Sequence, residues 1–136
     1  MKERLRRAAI IAALLALLLV PIDSVVVPAW SVQIVDTDSR AVEGINVRQV
    51  WQHYTLESVS HEEVRVTPSD GRVSFPERRI SGTVFMYVVG TVGNFAGVHS
   101  SFGPSSQLVI WGRDELRGRA TYLPSRPLPD RVVIEK

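Results

Sequence analysis

The hydrophobic pattern of this 136-residue chain changes period at Trp30, and the change divides it into two parts that fold by different rules. Upstream, Ala8 to Ile22 is an apolar run broken only by Pro21. Residues 8–20 show no polar stripe, whereas a helix packed on the outside of a core keeps one toward solvent. A buried cytosolic helix is therefore a poor description of this segment. Downstream the side chains alternate. Trp30, Val32, Ile34 and Asp36 fall on one face, and Ser31, Gln33 and Val35 on the other, which is the period of a half-buried strand.

Lys2, Arg4, Arg6 and Arg7 precede the apolar run. A basic tip followed by such a stretch is the layout of a secretory signal. Val27-Pro28-Ala29 supplies residues of acceptable size for cleavage before Trp30. The alternative is an uncleaved anchor over Ala8–Ala29, with the basic tip on the inner side of the membrane. Cleavage is favoured because the uninterrupted run is shorter than a typical span. Either way, residues 1–29 read as a signal peptide or N-terminal membrane anchor and residues 30–136 as one domain. That domain is expected to be exported, either periplasmic or extracellular, or held at the membrane with its body outside the cytoplasm.

Charge narrows the partners. Residues 30–136 hold twelve basic and twelve acidic side chains, so the net charge of +2 comes from the tip. A nucleic-acid surface needs clustered cations that displace counterions from phosphates, and this neutral body argues against one. The chain has no cysteine. Disulfides, thiol catalysis, thiolate metal sites and a lipid-modified cysteine are thereby excluded.

Within the body, Ile45, Val47, Gln49, Trp51 and His53 define one face of a strand, and Asn46, Arg48, Val50, Gln52 and Tyr54 the other. A third strand covers Glu63–Val66. Keeping its valines with the apolar face sets Val64 opposite Gln49 and Val66 opposite Val47. It also sends His53 and His61 to opposite faces. Asp36–Arg40 predicts an Asx-type turn. Asp70-Gly71 predicts a turn with positive φ leading into a strand over Arg72–Phe75. Val98–Phe102, Gln107–Trp111 and Arg131–Glu135 are further strand candidates, with a turn at Gly103–Ser106 and an extended connection over Leu123–Pro129. Ser81–Gly97 fits two patterns. Its valines and threonines favour strand, and its glycines weaken a helix by about 1 kcal/mol each. Phe85, Val88, Val92 and Phe95 or Ala96 nevertheless share a helical face, so we expect one short helix near 83–96, ending close to Gly97. The fold class is then all-β, a sandwich of about seven strands with an N-terminal hydrophobic helix.

Three stretches together resemble the carboxypeptidase regulatory-like domain, a transthyretin-like (prealbumin-like) Greek-key β-sandwich. The first is the strand Val32-Gln33-Ile34-Val35 followed by the Asp-rich turn Asp36-Thr37-Asp38-Ser39-Arg40. The second is Gly44 before the strand that opens Ile45-Asn46-Val47. The third is Thr67-Pro68-Ser69-Asp70-Gly71 leading into Arg72-Val73-Ser74-Phe75-Pro76. The chain departs from the family at Ser39, where glycine is usual, at Ala41, where proline is usual, and at Pro68, where aspartate is usual. The resemblance covers about residues 30–80. It implies a non-catalytic module for stability or interaction rather than a peptidase, and fold does not by itself fix function.

Catalytic motifs are weak. His61-Glu62-Glu63 lacks the second histidine of a zinc-peptidase helix, because position 65 is Arg. A looser metal site from His53, His61, Glu62 or Glu63, with His99, is conceivable because the two strands meet in one hairpin. A solvated or hydrogen-bonded hairpin end is the more ordinary outcome. Ser100 and Ser101 follow His99, but adjacent strand residues face opposite ways, and no Gly-x-Ser-x-Gly elbow is present. The hydroxyisourate hydrolases, which share the transthyretin-like fold, end in a Tyr-Arg-Gly-Ser tail that this chain lacks. Trp51, Tyr54 and Trp111 could form an aromatic surface for a glycan or peptide, although Trp51 and Trp111 lie on apolar strands and more commonly such rings fill the core. The expectation is a module without enzymatic activity or cofactor, structural or binding an envelope protein or polysaccharide. The membrane is a partner through the N-terminal segment if that segment is retained.

Overall fold

The computed structural model describes residues 1–97, 101–112 and 115–135. These form nine strands and two helices. The helices are α1 (Lys2–Leu18) and α2 (Val84–Ala96). The strands are β1 (Pro21–Val27), β2 (Trp30–Val35), β3 (Asn46–His53), β4 (His61–Val66), β5 (Arg72–Phe75), β6 (Arg78–Thr83), β7 (Pro104–Gly112), β8 (Glu115–Tyr122) and β9 (Arg131–Val133). Of the described residues 23% are helical and 44% lie in strands, so the protein is mostly β, with three sheets and two helices in a β-sandwich-like fold.

Two sheets of order β5-β2-β9 and β4-β3-β7-β8 carry the body, and β1 pairs with β6 in a two-stranded ribbon. The inward residues form one core. Trp30, Val32, Ile34, Val73, Phe75, Val132 and Ile134 meet Val47, Leu108, Ile110 and Ala120. The alternation read from Trp30 onward thus points the expected side chains inward. Trp30 also donates its indole N–H to the Pro129 carbonyl at 2.8 Å, which ties the proline-rich connection over the core.

Both turns of the family-like stretches have a physical basis. Asp36 Oδ1 accepts from the N–H groups of Asp38 and Arg40 at 3.0 and 2.9 Å, closing the expected Asx turn. Ser39, at the position where glycine is usual, has φ of 63°, a left-handed conformation that costs a side-chain-bearing residue about 1–2 kcal/mol. Thr67 is buried and holds the other turn to β3. Its hydroxyl accepts from Ile45 N–H at 3.0 Å while its carbonyl accepts from Gly44 N–H at 2.9 Å. Gly71 has φ of 68°, and a Cβ there would stand 2.5 Å from the Ile34 carbonyl oxygen, so only glycine fits.

Several expectations are corrected. The β3–β4 register is one residue from the predicted one: Arg48 faces Val64 and Gln49 faces Glu63. Val64 and Val66 therefore point outward and are exposed, while Glu63 and Arg65 take the face shared with Gln49 and Val47, Glu63 half-buried and Arg65 still exposed. The Gly103–Ser106 turn is shorter than expected, because β7 already begins at Pro104, after a positive-φ Gly103. Ser101 and Phe102 are not in a strand, and the rest of the Val98–Phe102 candidate, including His99, lies outside the described residues. Residues 84–96 form the helix, capped by Thr83 Oγ1, which accepts from Met86 N–H at 3.3 Å, and ended at Gly97.

Three strands have no counterpart in the sequence reading: β1, β6 and β8. Of these, β1 matters most. Val26 and Val27 at its end belong to the core, and β1 lies against β7 and β3. Cleavage between Ala29 and Trp30 would remove this strand and both valines, worth about 1.5–3 kcal/mol each as buried side chains.

Candidate functional site

The β3–β4 hairpin brings most of the candidate residues together, in an arrangement set by Glu57. In the turn, the N–H groups of Leu56 and Glu57 both donate to the His53 carbonyl at 2.9 Å. The Glu57 carboxylate then folds back. Its Oε2 accepts from His53 N–H at 2.8 Å, and its Oε1 lies 2.6 Å from His61 Nε2. This turn fixes the register and places Trp51 directly opposite His61. His53 and His61 therefore project from the same side of the sheet, contrary to the sequence expectation.

Sharing a side does not make them a pair of ligands. His61 stacks on Trp51 with ring centroids 5.7 Å apart. His53 is 3% exposed, and its ring meets Tyr87 of α2 edge-on at 5.6 Å. Its Nδ1 has no hydrogen-bond partner among the described residues. Burial holds the His53 imidazole below its ordinary pKa, outweighing the opposing influence of its own backbone and of Glu57, so the ring is neutral at pH 7. Glu57 reaches the backbone of His53 and the ring of His61, and among the described residues no three His, Asp or Glu side chains are grouped to hold a metal ion.

The other acidic candidates are held by arginines. Glu63 faces inward and pairs with Arg65 at 2.7 Å and with Arg78 of β6. The hydrogen bonds from Arg65 and then Arg78 keep its carboxyl below the usual value. Arg78 also donates to Gln49 Oε1 at 3.3 Å and lies 4.2 Å from the Trp51 ring centroid. Glu62 points to the opposite face and pairs with Arg48 at 3.4 Å, and Arg48 in turn sits 5.7 Å from the Trp111 ring centroid. The three aromatic candidates are thus not one surface. Trp51 is partly buried against the core under Arg78 and His61, Trp111 sits beside Arg48, and Tyr54 is exposed at the strand end. A shallow cleft of about 380 Å³ beside Trp51 is lined by Glu57, His61, Glu77, Arg78 and Arg79. Of these, Glu57 bonds His61, Arg79 pairs with Glu77, and Arg78 pairs with Glu63.

A second region was legible only in part. Helix α1 buries none of its residues, and its leucines and isoleucines are open to solvent, Leu17 at 63%. Two residues after it ends, the chain enters β1. Helix α2 begins at the other strand of the same ribbon, and Val84 N–H donates to the Val20 carbonyl at 3.2 Å. The two helices therefore leave the same end of the ribbon and touch. No helix among the described residues is long and apolar enough to cross a membrane.

Helix α2 docks on the body through a stripe at i, i+3 and i+7. The Tyr87 hydroxyl hydrogen-bonds Ser24. Gly90 lies so close to Thr55 that a Cβ would stand 1.7 Å from its carbonyl oxygen. Asn94 Nδ2 donates to the carbonyls of Tyr54 and Ser101 at 2.9 and 3.1 Å. These three positions were missed in the sequence, where Phe85, Val88, Val92 and Phe95 looked like the packing face. The signal for them was present: two polar groups and a glycine at helical spacing in an otherwise apolar helix.

Comparison with protein-family models, with curated proteins and with solved structures gave no match to this chain.

Proposed function

We propose that this protein is a non-enzymatic envelope module, held to a membrane by its own N-terminal segment with the sandwich outside the cytoplasm. There it contacts an envelope protein or a surface polysaccharide. The observation that carries the reading is α1. Its apolar surface is covered by nothing in the body, although the strand that follows it is built into the core. Apolar area of this kind is stable only when removed from water, and the basic residues at its start suit anionic headgroups. β1 speaks against cleavage between Ala29 and Trp30, since the body needs Val26 and Val27.

The sandwich is read as a transthyretin-like Greek key. Support comes from strand order. β2, β3, β4 and β5 follow one another, and β5 returns to lie antiparallel beside β2, while β9 pairs parallel to β2 on its other side. The β1–β6 ribbon and α2 are then additions to a seven-strand core.

Fractionation of cells making the full chain with a reporter fused after Lys136 tests the function. The expected result is reporter activity outside the cytoplasm, a protein that stays in the membrane pellet after a carbonate wash, and an intact N-terminus on sequencing. Recovery of a soluble protein beginning at Trp30, or activity confined to the cytosol, overturns it.

A further inference from the structure

We propose that α2 is a second membrane contact, lying flat on the same anionic lipid surface that receives α1. The inference rests on the anchor reading above and adds to it the orientation of the body. With Tyr87, Gly90 and Asn94 turned to the sandwich, α2 leaves Phe85, Val88, Val89, Val92 and Phe95 uncovered, the last two at 64% and 72% exposure. Its thirteen residues include no charged side chain. A helix face turned to water in a globular protein is normally charged or polar. Here the polar side is supplied by the sandwich on which α2 is docked, and the open apolar side can sink into the headgroup and acyl boundary of a bilayer, where binding grows with the apolar area buried.

Three observations select lipid as the occupant. First, the face continues into α1, which touches α2 and carries the chain's longest uncovered apolar surface. Second, the excess positive charge of the chain sits at the start of α1, on Lys2, Arg4, Arg6 and Arg7, while the body is neutral. Such charge adds electrostatic attraction to anionic lipid for a helix lying at the interface, and the neutral body sets up no repulsion against it. Third, aromatic rings gather at the far end of α2. Phe95 meets Phe102 at 5.0 Å, and Tyr54, whose carbonyl receives Asn94, is exposed beside them. Tyrosine rings are enriched at headgroup depth, and the two phenylalanines add apolar area beside Tyr54. Helix α1 is about 26 Å long at 1.5 Å per residue, and its apolar part is shorter still. Against a hydrocarbon layer of about 30 Å, it is better suited to one leaflet than to a full crossing, which keeps the sandwich close enough for α2 to reach the surface.

The chain contains no cysteine, so single-site labelling of the full-length protein provides the test. Val92→Cys, Leu14→Cys and Val64→Cys are each labelled with a polarity-sensitive fluorophore. Each is then mixed with vesicles of phosphatidylcholine and phosphatidylglycerol in a two-to-one ratio, with and without nitroxide-bearing lipids. Circular dichroism confirms that each labelled protein keeps its fold. The expected result is a blue shift and nitroxide quenching at both Val92 and Leu14, with no change at Val64 on the outer face of the four-stranded sheet. Quenching at Leu14 but not at Val92 overturns the inference and leaves the anchor standing. Quenching at neither site removes the anchor itself. A blue shift at Val92 that grows with protein concentration and is insensitive to lipid nitroxide assigns the face to a second copy and also overturns the inference.

Discussion

Both helices of this protein carry an apolar stretch with no packed core behind it, yet only one of them is fastened to the fold. Helix α2 is fastened by a hydroxyl, a glycine and an amide, each placed against the backbone or a side chain of the body. Helix α1 has no such stripe and no buried residue. Hydrophobicity alone therefore does not decide whether a helix joins a core. A glycine and two polar groups at helical spacing let α2 approach the sandwich closely and satisfy groups there, whereas α1 has alanines but no glycine or uncharged polar side chain and stays open to be covered by something else.

Substitutions that separate docking from mere apolarity test this contrast. The largest effect is expected at Gly90. A methyl group there meets the Thr55 carbonyl, so Gly90→Ala should lower the unfolding free energy by about 2 kcal/mol, within the range for overpacking. Gly93 has no atom near its missing Cβ, and Gly93→Ala should instead raise stability by up to about 1 kcal/mol through helix propensity. Urea denaturation of the two variants side by side reads both signs, and equal effects would mean that α2 is not seated on Thr55. Tyr87→Phe, which removes the bond to Ser24, should cost about 1 kcal/mol in the same assay.

The pH dependence of α2 docking comes next. Burial lowers the His53 pKa in the folded protein, so as pH falls through about 6.5 the unfolded chain binds a proton that the folded one does not. Stability should decline across that window and level off once pH is below the folded value. His53→Phe keeps a ring against Tyr87 and should flatten this part of the profile; an unchanged slope would exclude His53 as its source. The smallest effect is expected in α1. Leu14→Ser should leave unfolding of the body within about 0.5 kcal/mol of the parent while weakening retention by vesicles.

How much of this could be read in advance depended on whether local chemistry or long-range pairing decided the outcome. The turns at Asp36–Arg40 and Asp70-Gly71 were legible because an aspartate side chain and a positive-φ glycine act within a few residues. The core face of β2 was legible because alternation is local as well. The β3–β4 register was not. The apolar-matching rule placed the valines inward, but β4 is an edge strand whose inner side is met by Arg78 from β6, and the turn closed by Glu57 sets the offset. β6 and β8 carry arginines and glycines that disguise them as loops, and they are strands because β1 and β7 pair with them. At the hairpin, the sequence identified the ionisable residues but not their partners, since Arg78 lies fifteen positions beyond Glu63.

The double duty of residues 21–27 bears on how the protein can be handled. Trimming to the apparent start of the body at Trp30 would leave the edge of Arg78–Thr83 without its neighbour and open a hole where two side chains had filled the interior. Such a fragment would aggregate through that bare edge. A version starting at Pro21 dispenses with the greasy leader while keeping the interior closed, and it is the shortest form expected to keep the fold of the body.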